Sequence, residues 1–365
     1  MRKFYPSLQG VRVVLFMSIF FFHILGFIEK KDILFGVFEY GGWLGVSGFF
    51  ILSGFLAASQ YDEKEKAPQK DTVFSKIKDF LRKYYVFHVI FTIAMMPFAI
   101  LRLYHGELSV SGFCFSLISQ LLLIQSQIPV IGGGLSFNDV SWYLSTMLFI
   151  TLVSAFVLRA LSTLKIKRLV LLLYGTIGIA FLIPTFLIFV HPDETTTAWI
   201  LYYSFPVRLL DYVVGVIWGL LKKRKVELTK SSKYYALLSI VFLVLTQLSF
   251  ISIPLELRYA AVYIPALGYL IYYCADNTGF FSRILGTKRL VNVGSMCIYF
   301  YFCHYAIAKY LYIIFKKTSC VNIPFWGDTI YIILTLILTY IVGMIMRKVE
   351  LTFRSRKSEE ISYIS

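Results

Sequence analysis

Arg12 and His23 stand eleven residues apart in GVRVVLFMSIFFFHILGF, the first strongly apolar stretch of the chain. The pair joins a side chain that keeps its charge and binds anions to one that titrates near neutrality. On a helix of 3.6 residues per turn, eleven residues return to within about 20° of the same face, displaced by roughly 16 Å along the axis. One stripe of this helix is therefore polar and ionisable. A charge held in hydrocarbon costs at least about 2.5–3.5 kcal/mol, so such groups face a bundle interior or a wet cavity. The first helix is predicted to form one wall of a buried site.

Two later apolar segments carry the same kinds of residue: Arg208 in SFPVRLLDYVVGVIWG and His304 in CIYFYFCHYAI. Each group alone has a structural explanation. A histidine can bond a neighbouring helix, Arg208 can pair with Asp211 one turn on, and Arg12 can snorkel to lipid phosphates. The four together are harder to dismiss, and three of them, His23, His304 and Arg208, point to one polar chamber in the outer half of the bilayer.

The elements that must position them are membrane helices. Hydrophobic residues make up 58% and charged residues 15% of 365 positions, with a mean hydropathy of +0.73. The fold class is all-α, a polytopic membrane bundle of about ten transmembrane helices with both termini cytoplasmic. Spans fall near residues 11–28, 43–58, 84–104, 140–162, 169–190, 200–221, 235–252, 258–275, 292–314 and 328–347. Residues 1–350 then form one membrane-embedded domain, and 351–365, with RSRKSEE, a solvated cytoplasmic tail. The formal charge of +16 resides in short connectors, which marks topology and argues against nucleic acid.

One side collects Arg2, Lys3, the loop from Lys64, Lys66 and Lys70 through Lys76, Lys78, Arg82 and Lys83, the turn Lys165, Lys167 and Arg168, the run KKRK at 222–225, and Arg283, Lys288 and Arg289. The other side holds mainly Lys30, Lys31, Lys316 and Lys317. Residues 112–126 would invert every later loop as an eleventh crossing, so they are placed as an outward-side or re-entrant element. No cleavable leader is expected, because the first span carries Arg12 and His23 and lacks a small-residue cleavage site.

Counting about 1.5 Å per residue from the span boundaries, His23, His304 and Arg208 each lie roughly 18 Å from the cytoplasmic edge, with Arg12 near the cytoplasmic mouth. Gly45, Gly48, Ser53 and Gly54 in GGWLGVSGFFILSGFL permit close helix approach, or else a groove for a cofactor chain. Trp142 and Tyr143, opening SWYLSTMLF, suit an interfacial belt, with sugar stacking as the alternative. The five cysteines, Cys114, Cys274, Cys297, Cys303 and Cys320, lack paired metal spacing and read as apolar packers; no metal is expected. Neither a Gly-x-Ser-x-Gly elbow nor a His-Glu-x-x-His helix is present in the sequence.

These residues resemble the acyltransferase-3 family of integral-membrane acyltransferases. FYPSLQGVRVVLFMSIFFFHILGF is similar to the family's opening, with Arg12, ten residues, then His23. GVSGFFILSGFL, SWYLSTML, RLLDYVVGVIWG and NVGSMCIYFYFCHYAI resemble its later blocks, in order, from about residue 4 to 310. There are departures. Met147 replaces a frequent glutamate, Ser47 a frequent aspartate, Arg82 and Lys83 only loosely match an arginine pair, and Val86 stands for the usual proline. No soluble esterase domain follows the last span, so a second transfer step would need a separate extracytoplasmic protein.

The resemblance implies a bacterial cytoplasmic-membrane enzyme. Its reaction is transfer of an acyl group, most often acetyl from cytoplasmic acetyl-CoA, to a hydroxyl of an envelope polysaccharide or another acceptor. Arg12, Arg82 and Lys83 would hold the phosphates of the acyl-CoA and Ser53 its chain. His23 would act as general base or transient acyl carrier, with Arg208 or His304 steadying charge on the thioester oxygen. Trp142, Tyr143 and Ser145 would meet the acceptor. The rival class is a transporter of a lipid-linked sugar or small anion using the same buried cations, against which no half-chain repeat stands out.

Overall fold

The computed structural model describes residues 4–28, 38, 40–61, 70–129, 137–227, 232–248, 252–276, 279–318 and 327–364, with 70–72 and 353–364 as backbone. Lys30, Lys31, Lys64, Lys66 and Cys320, together with Arg2 and Lys3, lie outside the described residues. No strand occurs among the described residues. The chain is an all-helical, polytopic bundle.

Eight helices are long and apolar enough to cross a membrane. They overlap α1 (Pro6–Leu25), α2 (Gly41–Gln60), α3 (Lys70–Tyr104), α5 (Trp142–Ser162), α6 (Ile166–Val190), α7 (Phe205–Lys223), α12 (Cys297–Lys317) and α13 (Gly327–Ile364), the span at α5 beginning at Asp139 and that at α7 at Glu194. The expected seventh and eighth spans coincide with shorter apolar helices, α8 (Ser232–Gln247) and α9 (Ile264–Cys274). Two short helices, α10 (Phe280–Leu285) and α11 (Lys288–Gly294), lead into α12. The segment expected as an outward-side or re-entrant element forms α4 (Val110–Leu121). Its 12 residues extend about 18 Å, too short to cross, and the left-handed backbone of Leu123, φ +56°, follows its end. Helix α13 runs on through residues 351–364 to Ile364, with neither glycine nor proline to interrupt it after Gly343.

The basic connectors meet at one end of the bundle. The first turns of α1 lie on α10 and α11, where Gly10 abuts Leu285 and Gly294 abuts Gln9. The end of α7 fastens its neighbours. Lys222 pairs with Asp276, Lys223 donates to the Tyr61 carbonyl, and Arg224 donates to the carbonyls of Ser162 and Leu164.

Helices α2 and α7 form the tightest crossing. A Cβ at Gly215 would stand 1.9 Å from the Ile51 carbonyl oxygen, and one at Gly54 would stand 2.0 Å from that of Tyr212. Only glycine on both sides allows that approach. Two apolar clusters result. One joins α2, α5, α6, α7 and α9; the other joins α1, α3, α12 and α13. Helix α1 wedges between them, with Leu15 and Ile19 in the first cluster and Phe16 and Phe20 in the second. At 100° per residue these pairs flank the line through Arg12 and His23, so the ionisable stripe faces the seam.

Candidate active site

A cavity of about 690 Å³ occupies that seam, and both Arg12 and His23 line it. Its size falls within the range of small-molecule and cofactor sites. Since both residues sit on one face of α1, the cavity follows the helix for about 16 Å. At the basic end its walls carry Arg12, Lys76, Lys83 and Arg347 with the carboxylates Asp79 and Glu350. Four cations against two carboxylates make the mouth suited to anions. Arg12 donates from Nη1 to Gln9 Oε1 at 2.9 Å, and the Tyr299 hydroxyl donates to Glu350.

Adjacent residues of α3 divide. Lys83 lines the cavity, whereas Arg82, 100° around the helix, lies in a shallow depression with Phe74 and Leu81. The structure thus separates the two phosphate-binding residues named from sequence. Lys76 and Arg347, not singled out as site residues from sequence, take places at the mouth because α3 extends beyond its apolar part and α13 returns to the same end.

At the inner end, His23 and His304 come together from α1 and α12 with ring centroids 5.3 Å apart. His304 is buried, and its Nδ1 lies 3.0 Å from the Phe300 carbonyl and 2.9 Å from that of Tyr301. Carbonyls only accept, so Nδ1 carries the proton and the neutral ring keeps a lone pair on Nε2. That Nε2 is buried without a hydrogen-bond partner. Tyr305 packs edge-on against His23 at 5.2 Å, and its hydroxyl donates to Asp139. Sequence reasoning missed both Tyr305 and Asp139; their only local signals are adjacency to His304 and a position three residues before Trp142.

Arg208 is elsewhere. It is wholly buried and absent from the cavity lining. Its Nε donates to the Tyr202 carbonyl at 2.8 Å, Nη2 to the Tyr259 carbonyl at 2.9 Å, and Nη1 to Ser47 Oγ at 3.0 Å and Asp211 at 2.9 Å. The side chain ties α7 to α2 and to the segment before α9. The shared height read from sequence therefore unites the two histidines but not the arginine.

Trp142 and Tyr143 line the cavity, with Trp142 only 5% exposed, so they occupy an inner wall and not an outer belt. Ser53 lines the same wall, beside the Tyr143 hydroxyl. Ser145 is buried away from the cavity, donating to the Leu123 carbonyl at 2.7 Å and accepting from Ser126 Oγ at 2.7 Å, which clamps the segment after α4. Cys297 lines the cavity, Cys274 and Cys303 are buried in the two apolar clusters, and Cys114 is exposed. Among the described residues no group of metal-binding side chains is assembled.

Comparison with known proteins covers nearly the same extent of the chain. A family model described as an acyltransferase domain matches residues 5–344. The acyltransferase MdmB of Streptomyces mycarofaciens is 26% identical over 326 residues, covering 84% of this chain and 79% of that protein. No solved structure matches. With the match spanning nearly every helix that builds the cavity, the chain belongs to the acyltransferase-3 family and is a multi-pass membrane acyltransferase.

Proposed function

We propose that the protein moves an acyl group, acetyl foremost, from cytoplasmic acyl-CoA to a hydroxyl of an envelope glycan or another acceptor presented from the opposite side of the bacterial cytoplasmic membrane. One observation carries the reading: a single cavity joins a cationic mouth to His23, whose ring packs against that of His304. Arg12, Lys76, Lys83 and Arg347 would hold the anionic phosphates of the donor at the basic, cytoplasmic end. Its thioester arm would extend along α1, past Ser53, toward His23.

There the His23 ring takes the proton of the acceptor hydroxyl while the oxygen attacks the thioester carbonyl. The carbon–oxygen bond forms, the carbon–sulfur bond breaks, and the proton passes from His23 to the departing thiolate. His304, with Nδ1 committed to the backbone, offers Nε2 as a fixed acceptor beside that ring. Trp142 and Tyr143 supply a flat wall for the acceptor.

The test compares O-acetyl content of isolated envelope polysaccharide in cells lacking the protein, cells restored with it, and cells expressing His23→Ala at equal abundance. In parallel, detergent-purified protein is given acetyl-CoA and coenzyme A release is followed. Loss in the null, recovery with wild type and none with the variant are expected. Normal acetylation and thiol release by the His23→Ala variant would overturn the assignment of the base.

A further inference from the structure

We infer that Tyr305, held by Asp139, is the positioning residue that sets the orientation of the His23 ring. Among the described residues His23 is held by aromatic faces alone: Phe22 at 5.2 Å, His304 at 5.3 Å and Tyr305 at 5.2 Å. An imidazole so held has a broad, two-fold torsion about χ2, and its neighbours must choose the rotamer. Phe22 is the adjacent residue on the same helix and travels with it. His304 is pinned through its own backbone hydrogen bonds.

Tyr305 is the remaining wall, and its far end is tethered. Its ring meets His23 at an interplanar angle of 69°, and its hydroxyl donates to Asp139 Oδ2. Asp139 opens the single helical turn Asp139–Ser141 ahead of α5. Tyr301, one turn earlier on α12, donates to the Val140 carbonyl in that same turn. Two tyrosines on one face of α12 thereby grip one turn, and the gripped turn leads directly into the cavity wall at Trp142 and Tyr143. Lys309, one turn beyond Tyr305, places its ammonium 5.8 Å from the tyrosine ring and attracts the Asp139 charge. Movement of the turn before α5 is thus passed to the His23 ring through one hydrogen bond.

This inference rests on the reading of His23 as the base, and the experiment separates the two. Steady-state transfer is measured with purified, full-length Tyr305→Phe, Asp139→Asn, Asp139→Leu and the double variant Tyr305→Phe/Asp139→Leu, beside wild type and His23→Ala, with folded yield measured for each. Tyr305→Phe keeps the ring and loses the tether; kcat is expected to fall about 10- to 100-fold, with donor KM within about 2-fold of wild type. Asp139→Asn retains an oxygen acceptor and is expected to stay within about 3-fold of wild type, while Asp139→Leu falls to the Tyr305→Phe level. The double variant should equal Tyr305→Phe, because both changes cut one link.

Wild-type kcat in Tyr305→Phe, with His23→Ala inactive, would overturn the inference and leave the base in place. Recovery of wild-type rate in the double variant would also overturn it, by tracing the loss to an unpaired carboxylate. A loss of rate matched by loss of folded protein would overturn it as well. Normal transfer by His23→Ala would instead remove the base itself.

Discussion

Arg208 and His23 are both ionisable side chains set in apolar helices, and the bundle treats them in opposite ways. Arg208 is enclosed by Tyr202, Ser47, Asp211 and Tyr259, each taking a hydrogen bond from the guanidinium, and stacks near the Tyr202 ring at 4.9 Å. His23 touches rings, lines a cavity, and faces a histidine whose Nε2 is buried without a partner. Burying a polar group without a hydrogen bond costs free energy, so a fold retains such groups only where something else requires them. The contrast teaches that in this bundle the guanidinium with all three nitrogens engaged ties helices together, while the histidine pair leaves one ring nitrogen, His304 Nε2, unengaged beside a cavity-lining ring.

The sharpest way to break the comparison is at His23. His23→Ala should lower acyl transfer about 10²- to 10⁴-fold, the usual contribution of a general base, with the thermal midpoint of the detergent-solubilised protein little changed. A matching fall in that midpoint would mean that both sites are structural. Arg208→Met should do the reverse. Removing one member of a buried pair leaves Asp211 uncompensated and costs about 3–5 kcal/mol, read as lost folded yield in membranes. Arg208→Met/Asp211→Leu should regain part of that yield.

Smaller effects sharpen the picture at the crossing and the mouth. Gly215→Ala drives a methyl group into the Ile51 carbonyl and should cost about 1–3 kcal/mol, seen as a lower unfolding temperature without a change in donor KM. Lys83→Ala should raise donor KM only a few-fold, consistent with the ~1 kcal/mol of an exposed charge pair. That effect should shrink as salt rises. Arg82→Ala, facing away from the cavity, should leave KM unmoved. Equal effects at the two positions would show that the donor does not enter by this mouth.

Much of the fold was legible because hydropathy and helical period are local properties. The ionisable stripe of α1 followed from the eleven-residue spacing, and that residues 112–126 hold a helix shorter than a crossing agrees with the charge balance of later loops. The glycines of α2 announced a close crossing, though not that Gly215 of α7 would be the reciprocal partner. Depth counting along separate spans brought His23 and His304 to one level because both spans are regular helices. The same count placed Arg208 at that level too, but height along the membrane says nothing about which way a side chain faces, and Arg208 is enclosed by its own partners outside the cavity lining.

By itself, the sequence determined an all-helical membrane bundle, the polar face of its first helix and the family to which the chain belongs. Those depend on composition, on the period of 3.6 residues and on motif order, all carried within single segments. Only the tertiary structure decided that Lys83 turns inward while Arg82 turns out, that Arg208 is a tie, and that Asp139 reaches Tyr305 across 166 positions. Contacts between distant segments arise from how whole helices pack, with close-packed side chains choosing among the faces that the period alone leaves open.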